Sequence, residues 1–190
     1  MKWTKEDTNF LLSFKDNVDS DDVKVKEKIK RVLLDNKYIV HVLHNKELEE
    51  SDAEPEDYFG VNIFPYYIIA STQTNVQNFI CYEVTYKDVE KYNSSLKDLK
   101  VVFYVLCEQR NAIDTETGIA RHDLLAALLQ DQFNHTNLFG SKLTLISDIA
   151  GVTDSDFATR TLTFQQVTDN NYIKSRDGIS RFVNKEVVTF

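Results

Sequence analysis

The sequence has few of the residues that interrupt, cross-link or anchor a polypeptide. It contains 5 glycines and 2 prolines among 190 residues, so it has few strong breaks between elements. Its 2 cysteines, Cys81 and Cys107, lie in apolar, strand-like runs, which predicts two reduced, buried thiols and no disulfide framework. No apolar run approaches the roughly 20 residues of a membrane-spanning helix. The first residues lack the apolar core of a signal peptide, so we expect an intracellular protein that does not enter a membrane.

The sequence also lacks the short motifs that mark common catalytic sites. It has no G-x-S-x-G, no P-loop and no C-x-x-C. His41 and His44 are three residues apart, but a zinc site needs further Cys or His ligands nearby. These absences predict a protein that is not an enzyme and that holds no metal or cofactor.

One group of carboxylates leaves an enzymatic alternative open. Asp148, Asp154 and Asp156 follow one another at a predicted strand end and in the loop after it. Such carboxylates can hold magnesium, so the alternative is a small metal-dependent nuclease or another small enzyme. Aspartate is also common in turns, where its side chain bonds to the backbone. The Glu-x-Lys pair of common metal-dependent nucleases is missing at Glu83, because Lys87 stands at a different spacing.

The composition nevertheless supports a folded, acidic domain. Hydrophobic residues make up 42% of the chain and aromatic residues 12%, which is enough for a sizeable core. The formal net charge is −8, from 22 basic and 30 acidic residues. Because phosphate binding needs clustered positive charge, a general nucleic-acid binder is disfavoured and basic protein surfaces are the favoured partners.

Helical periodicity appears in three places. Residues 4–17 predict a short amphipathic helix that Thr4 can cap with Asp7 three residues on. Residues 21–35 and about 118–134 predict two further helices, each with a broad apolar face.

The remaining apolar runs predict strands. The run at 99–108 is almost continuously apolar and is expected to be the central strand. Two neighbouring runs are expected to form a hairpin in which Ile80, Tyr82, Val84 and Tyr86 face the core. The order of elements predicts an α+β fold, a two-layer sandwich of an antiparallel-rich sheet with packed helices. The predicted strands are 38–43, 61–71, 77–87, 99–108, 142–149 and 157–168.

Charge is concentrated in two segments. Residues 44–59 predict a long exposed loop that docks a partner, because acids are frequent there and periodic apolar residues are missing. The predicted helix at 21–35 has a run of basic residues, which is either a solvated face or a docking surface for another acidic subunit. The acids of the predicted docking loop are Glu47, Glu49, Glu50, Asp52, Glu54, Glu56 and Asp57.

Arg121 and Asp123 open the third predicted helix. A cation in the first turn opposes the helix dipole, so another contact is expected to favour Arg121. That contact is either a salt bridge within the domain or one to a neighbouring subunit. Residues two apart on a helix point in nearly opposite directions, so the two side chains need separate partners. We take both as candidate subunit-interface residues.

The order of elements from 99 to 168 resembles that of the tail terminator (tail completion, neck) proteins of long-tailed bacteriophages. The likeness rests on the strand at 99–108, the helix that begins Arg121-His122-Asp123, and the strands Leu143–Asp148 and Arg160–Phe164. An earlier hairpin and an N-terminal helix complete it. The chain is therefore expected to hold an N-terminal helical arm (1–20), a terminator-like domain (21–169) and an extended C-terminal tail (170–190).

The resemblance implies a structural virion protein. Tail terminators form rings, usually of six copies, that cap the tail tube and join it to the head. The implied partners are further copies of the chain, the tail tube protein and the connector or neck proteins. DNA passes through the lumen without specific binding, and the implied location is the virion tail or neck, assembled in the host bacterial cytoplasm.

Overall fold

The computed structural model describes residues 4–13, 21–51, 53–68, 78–88, 96–153, 156–169, 172–174 and 180–182. It confirms an α+β fold in which helices pack against a five-stranded sheet. The helices are α1 (Lys5–Ser13), α2 (Asp21–Asp35), α3 (Lys37–Leu43), α4 (Lys46–Glu50) and α5 (Arg121–Phe133). The strands are β1 (Ile63–Phe64), β2 (Asn78–Asp88), β3 (Leu96–Glu108), β4 (Thr144–Val152), β5 (Phe157–Asp169), β6 (Tyr172–Lys174) and β7 (Ser180–Phe182).

The first two helices form where their periodicity predicts them. The capping box at α1 is confirmed, since Thr4 Oγ1 accepts from Asp7 N at 3.2 Å and Asp7 Oδ2 accepts from Thr4 N at 2.8 Å. The end of the predicted helix, residues 14–17, lies outside the described residues. In α2, Val25, Ile29 and Leu33 are buried at the predicted i, i+4, i+8 spacing.

The prediction of a strand at 38–43 is wrong, because this segment is helix α3. Asn36 caps it, with its Oδ1 accepting from Tyr38 N at 3.0 Å and Ile39 N at 3.3 Å. Its buried residues, Ile39, Val42 and Leu43, follow helical spacing. The run is short and β-branched, and the competition between helix and strand was decided by the cap and by packing against α5.

The prediction that residues 44–59 form an irregular loop is also wrong in part. The segment holds α4 and a 3-10 turn at Pro55–Tyr58, and Tyr58 is buried. We call residues 44–59 the acidic segment.

Three buried asparagines hold the acidic segment to the sheet. Asn45 Nδ2 donates to Asn62 Oδ1 at 2.8 Å, and Asn62 Nδ2 donates to the carbonyl of Asn78 at 2.9 Å. Asn78 Nδ2 in turn donates to the carbonyl of Leu43 at 2.9 Å. A buried amide without partners costs about 1–3 kcal/mol, so this chain of bonds favours one position for the segment.

The sheet has the order β1-β2-β3-β5-β4, so the prediction that the run at 99–108 is central is confirmed. The predicted hairpin between 61–71 and 77–87 is wrong, because β1 has two residues and runs parallel to β2. The other neighbouring pairs are antiparallel. A parallel neighbour requires a crossover connection, which local alternation does not reveal.

Helices cover the inner face of the sheet, and a smaller apolar cluster covers part of the outer face. On the inner face, α5 packs Phe133 against Phe103, with ring centroids 4.8 Å apart, and Ile80 and Tyr82 lie there as predicted. On the outer face, Phe79 and Cys81 are buried too, under Phe64 and Ile68. The alternation in β2 therefore predicted the inner face correctly and missed this second, smaller core.

The C-terminal segment contains the pair β6–β7, which is antiparallel and separate from the main sheet. The predicted division of the chain at residues 20 and 170 stays a prediction.

Candidate functional site

The start of α5 is built on a tight loop that binds Arg121. Residues 112–120 fold back on themselves, with Asp114 N donating to the carbonyl of Ile119 at 2.9 Å. Gly118, at φ 70°, supplies the left-handed turn that a residue without a side chain adopts readily. Asp114 Oδ2 accepts from Thr117 Oγ1 at 2.7 Å and from Thr117 N at 3.0 Å. These bonds to Thr117, followed by the charge of Arg121, lower the pKa of Asp114.

Arg121 lies inside the domain. It is 2% exposed, and its Nη1 lies 3.1 Å from Asp114 Oδ1 and donates to the carbonyl of Val42 at 3.2 Å. The contact with Asp114 compensates for the unfavourable position of a cation in the first turn of a helix. The structure thus shows the internal salt bridge that the sequence left open, and it corrects the expectation that this side chain reaches a neighbouring subunit.

Asp123 also has a partner within the domain. Arg160 Nη1 lies 3.0 Å from Asp123 Oδ1, and the Asp123 side chain stays 44% exposed. Arg121 and Asp123 therefore have separate partners, as expected from their angular separation. An interface role for Asp123 stays a prediction.

Arg160 joins three elements. Its Nε and Nη2 both donate to the carboxylate of Asp148 at 2.8 Å, and Gln130 Nε2 of α5 donates to the same carboxylate at 2.9 Å. The hydrogen bonds and charge of Asp148 raise the pKa of Arg160. The bidentate pair joins β4 to β5, and the contacts of Gln130 with Asp148 and of Asp123 with Arg160 attach α5 to both strands.

The carboxylates proposed for a nuclease do not form a shared site in the described residues. Asp148 lies in the middle of β4, not at a strand end, and it is occupied by Arg160. Asp156 stands at a turn with φ 62°, where its carbonyl accepts from Gln109 N at 3.0 Å. Asp154 lies outside the described residues. Within the described part of the chain, no three His, Cys, Asp or Glu side chains are arranged to hold a metal ion.

Both cysteines are free and buried, as predicted. Burial raises the pKa of Cys81 to about 11 and that of Cys107 to about 12. Thiols with such pKa values are poor nucleophiles at neutral pH. Among the described helices, none is long and apolar enough to cross a bilayer.

The acidic segment lines a cleft of about 550 Å³ against α2 and α3. Leu34, Val40 and Leu48 supply apolar lining, and Glu49 and Glu56 stand in the opposite wall. The described acids of the predicted docking loop are all exposed; they are Glu47, Glu49, Glu50, Glu54, Glu56 and Asp57. Asp52 lies outside the described residues. The partner-docking role of these residues stays a prediction.

The basic residues of α2 are used mainly inside the domain. Lys26 Nζ donates to the carbonyl of Pro65 at 2.8 Å, and Lys28 Nζ donates to that of Leu138 at 3.1 Å. Lys30 Nζ lies 4.3 Å from the centre of the Phe59 ring. These contacts give the lysines structural roles and leave less of their charge for another subunit.

Strand β4 forms one edge of the sheet and carries exposed apolar side chains. Within the described residues it pairs with β5 alone. Ile146 is 50% exposed, Ile149 61% and Val152 68%. A bulge interrupts the ladder between Leu145 and Ser147, and the register is regular from there to Val152.

Sequence reasoning missed this edge and the cleft. The sequence predicted a strand at 142–149 but not its position in the sheet, which depends on pairing. An early hint was the apolar content of Ile146 and Ile149 beside the polar, threonine-rich strand β5.

A family model matches residues 36–166, which is well over half of the chain. The chain therefore belongs to the YomW family, a family derived from phages of the Bacillus phage SPbeta type, which indicates a phage protein. No curated protein matches it.

Proposed function

We propose that this member of the YomW family is a structural, non-catalytic virion protein whose copies assemble into a ring, as tail terminators do. The ring, of six copies by analogy with that family, caps the tail tube and joins it to the connector or neck proteins. DNA passes through its lumen without specific binding.

The observation that carries the proposal is the open, apolar edge at β4. An edge strand presents unpaired backbone N–H and C=O groups, and exposed isoleucine and valine add an apolar contact surface. Lysine and proline, which commonly protect such edges, are missing from Thr144–Val152. The edge therefore suits contact with another chain.

The direction of the strands is compatible with a head-to-tail contact between copies. Because β2, β3, β5 and β4 are successively antiparallel, β4 and β2 run in opposite directions at the two sides of the sheet. Head-to-tail contact between β4 of one copy and the β2 side of the next continues the antiparallel sheet. On that side, within the described residues, β2 pairs with β1 only at Ile80 and Cys81. Head-to-tail contacts generate rings when the rotation closes.

The test is the mass of the assembly in solution, measured by light scattering after size exclusion. The wild-type chain is expected at a closed multiple of the single-chain mass, and Ile149→Lys is expected to shift it to the monomer, because a charge at the edge opposes strand pairing. Ile113→Lys is the matched control: Ile113 is 57% exposed but lies in the loop before α5. A wild-type monomer at all concentrations, or equal effects of both substitutions, contradicts assembly through this edge.

The place of the ring is tested separately. Mass spectrometry of purified virions is expected to find the chain in tail or neck fractions. Its absence from virions contradicts the structural role.

A further inference from the structure

We propose that the cleft between α3 and the acidic segment binds a basic, amphipathic peptide segment of a partner protein. The proposal goes beyond ring assembly, because the cleft and the β4 edge share no residues. It rests on the shape of the cleft, its charge and one tyrosine hydroxyl that has no hydrogen-bond partner within the described residues.

The shape fits a side chain larger than a methyl group. The volume of about 550 Å³ lies within the range of about 300–1,000 Å³ that ligand sites commonly have. Its apolar lining consists of Leu34, Val40 and Leu48. An apolar side chain inserted between them is removed from water, which favours binding.

The charge selects a basic partner. Residues 46–57 carry seven carboxylates against a single basic residue, Lys46, and so hold most of the excess negative charge of the whole chain. Glu49 and Glu56 line the cleft itself, and both are exposed. Glu49 also lies 3.2 Å from Nδ1 of His44. Lysine or arginine beside the inserted apolar residue neutralises these carboxylates.

The opposite wall does not cancel this preference. Lys37 lies there, with its Nζ 5.0 Å from the Tyr38 ring, and His41 lies there with its Nε2 3.5 Å from Glu116 Oε2. Neither Tyr38 nor Glu116 lines the cleft, so both groups have a partner outside it.

Tyr58 is the independent sign of a ligand. It is 3% exposed and lines the cleft, yet its hydroxyl has no hydrogen-bond partner within the described residues. Burial, followed by the charge of Glu49, raises its pKa, so the group is a neutral donor at pH 7. The hydroxyl is open to water in the cleft, and a carbonyl of a bound peptide offers it an acceptor in place of that water.

The occupant is a different protein, not α2 of a second copy. The lysines of α2 that could face such a cleft bind Pro65, Leu138 and Phe59 inside their own domain. Releasing them for an intermolecular contact forfeits those bonds.

The experiment uses the full chain and two short amphipathic peptides of the same pattern, one of lysine and leucine, the other of glutamate and leucine. Calorimetry at physiological ionic strength is expected to show binding of the lysine peptide alone. In amide spectra the largest shifts are expected at Leu48, Ala53 and Tyr58. The double variant Glu49→Gln/Glu56→Gln is expected to weaken binding about tenfold or more.

The matched control is Glu47→Gln/Glu50→Gln, which removes the same charge from the same segment outside the cleft. It is expected to weaken binding at most about threefold, through long-range attraction alone. Tyr58→Phe is expected to weaken binding without lowering the stability of the free chain, because the hydroxyl has no partner to lose. Equal losses in the two glutamate variants, or shifts that map elsewhere, contradict a built site. The mass of each variant by light scattering separates this outcome from any failure of ring assembly.

Discussion

Arg121, the first residue of α5, and Arg160, which contacts α5 through Asp123, form ion pairs in different surroundings. Arg121 at the start of α5 is 2% exposed and pairs with Asp114, whose side chain is 5% exposed. The side chain of Arg160 is 28% exposed and shares two carboxylates, Asp148 and Asp123, of which the second is nearly half exposed. From this difference we expect that access to water, more than the number of bonds, decides what each ion pair contributes to stability. A buried charge depends on the few partners it has inside the protein, whereas an exposed charge can return to water.

The strongest test of this comparison is Arg121→Ala. Removing one member of a buried pair leaves the carboxylate of Asp114 uncompensated, which costs about 3–5 kcal/mol of the free energy of unfolding. Urea denaturation followed by circular dichroism measures the loss. Arg110→Ala, at an exposed arginine in the preceding 3-10 turn, is the control and is expected to change stability by less than about 0.5 kcal/mol.

An unchanged denaturation midpoint for Arg121→Ala, together with loss of assembly, would reinstate Arg121 as an interface residue. The loss of several kcal/mol is large beside the roughly 5–15 kcal/mol of total stability of an ordinary domain.

The second test uses acid, and its effect is smaller because Arg121 keeps its bond to the Val42 carbonyl. The folded-state pKa of Asp114 is lowered, so its contribution to stability is present above the unfolded-state pKa of about 4. The contribution disappears as the pH falls through the folded-state pKa. Denaturation at a series of pH values is expected to show the gap between wild type and Asp114→Asn closing below about pH 4. If the stability difference between wild type and Asp114→Asn stays constant with pH, the substitution acts through the shape of the side chain and not through its charge.

The smallest effect is expected for Arg160→Ala. Solvent screens this network, so its removal is expected to cost about 1 kcal/mol, and high salt is expected to reduce the difference from wild type. Denaturation with and without added salt measures both quantities. A salt-independent loss as large as that of Arg121→Ala means that the network is isolated from water, and the comparison fails.

The acidic segment also shows a contrast between exposed charges and buried polar contacts. The acidic segment carries many carboxylates, yet its position is held by Asn45, Asn62 and Asn78, which are buried and neutral. The carboxylates remain at the surface, where the proposed basic partner can contact those that line the cleft.

Local pattern predicted the parts of the fold whose signals lie within a few residues. Helix α2, the central strand β3 and helix α5 follow from apolar spacing and length, and the Thr4–Asp7 capping box follows from two residue types three apart. The prediction at 38–43 was wrong because a short β-branched run suits both helix and strand. Asn36 and the contact with α5 decided between them.

The candidate sites were predictable only in part. The carboxylates of the acidic segment and the unusual position of Arg121 are visible in the sequence. The partner of Arg121 is not, because Asp114 reaches it through a folded loop and Val42 through packing between helices distant in sequence.

The amino-acid sequence by itself determined the class of this protein: an acidic α+β domain with two unreactive thiols and a central apolar strand. These properties depend on composition and on periodicity within single elements. The tertiary structure alone decided that β1 runs parallel to β2, that β4 lies at an edge of the five-stranded sheet, that Arg121 is buried, and that the acidic segment lines a cleft. Each of these depends on which distant segments meet, and that choice is made by the packing of the whole chain and not by any local pattern.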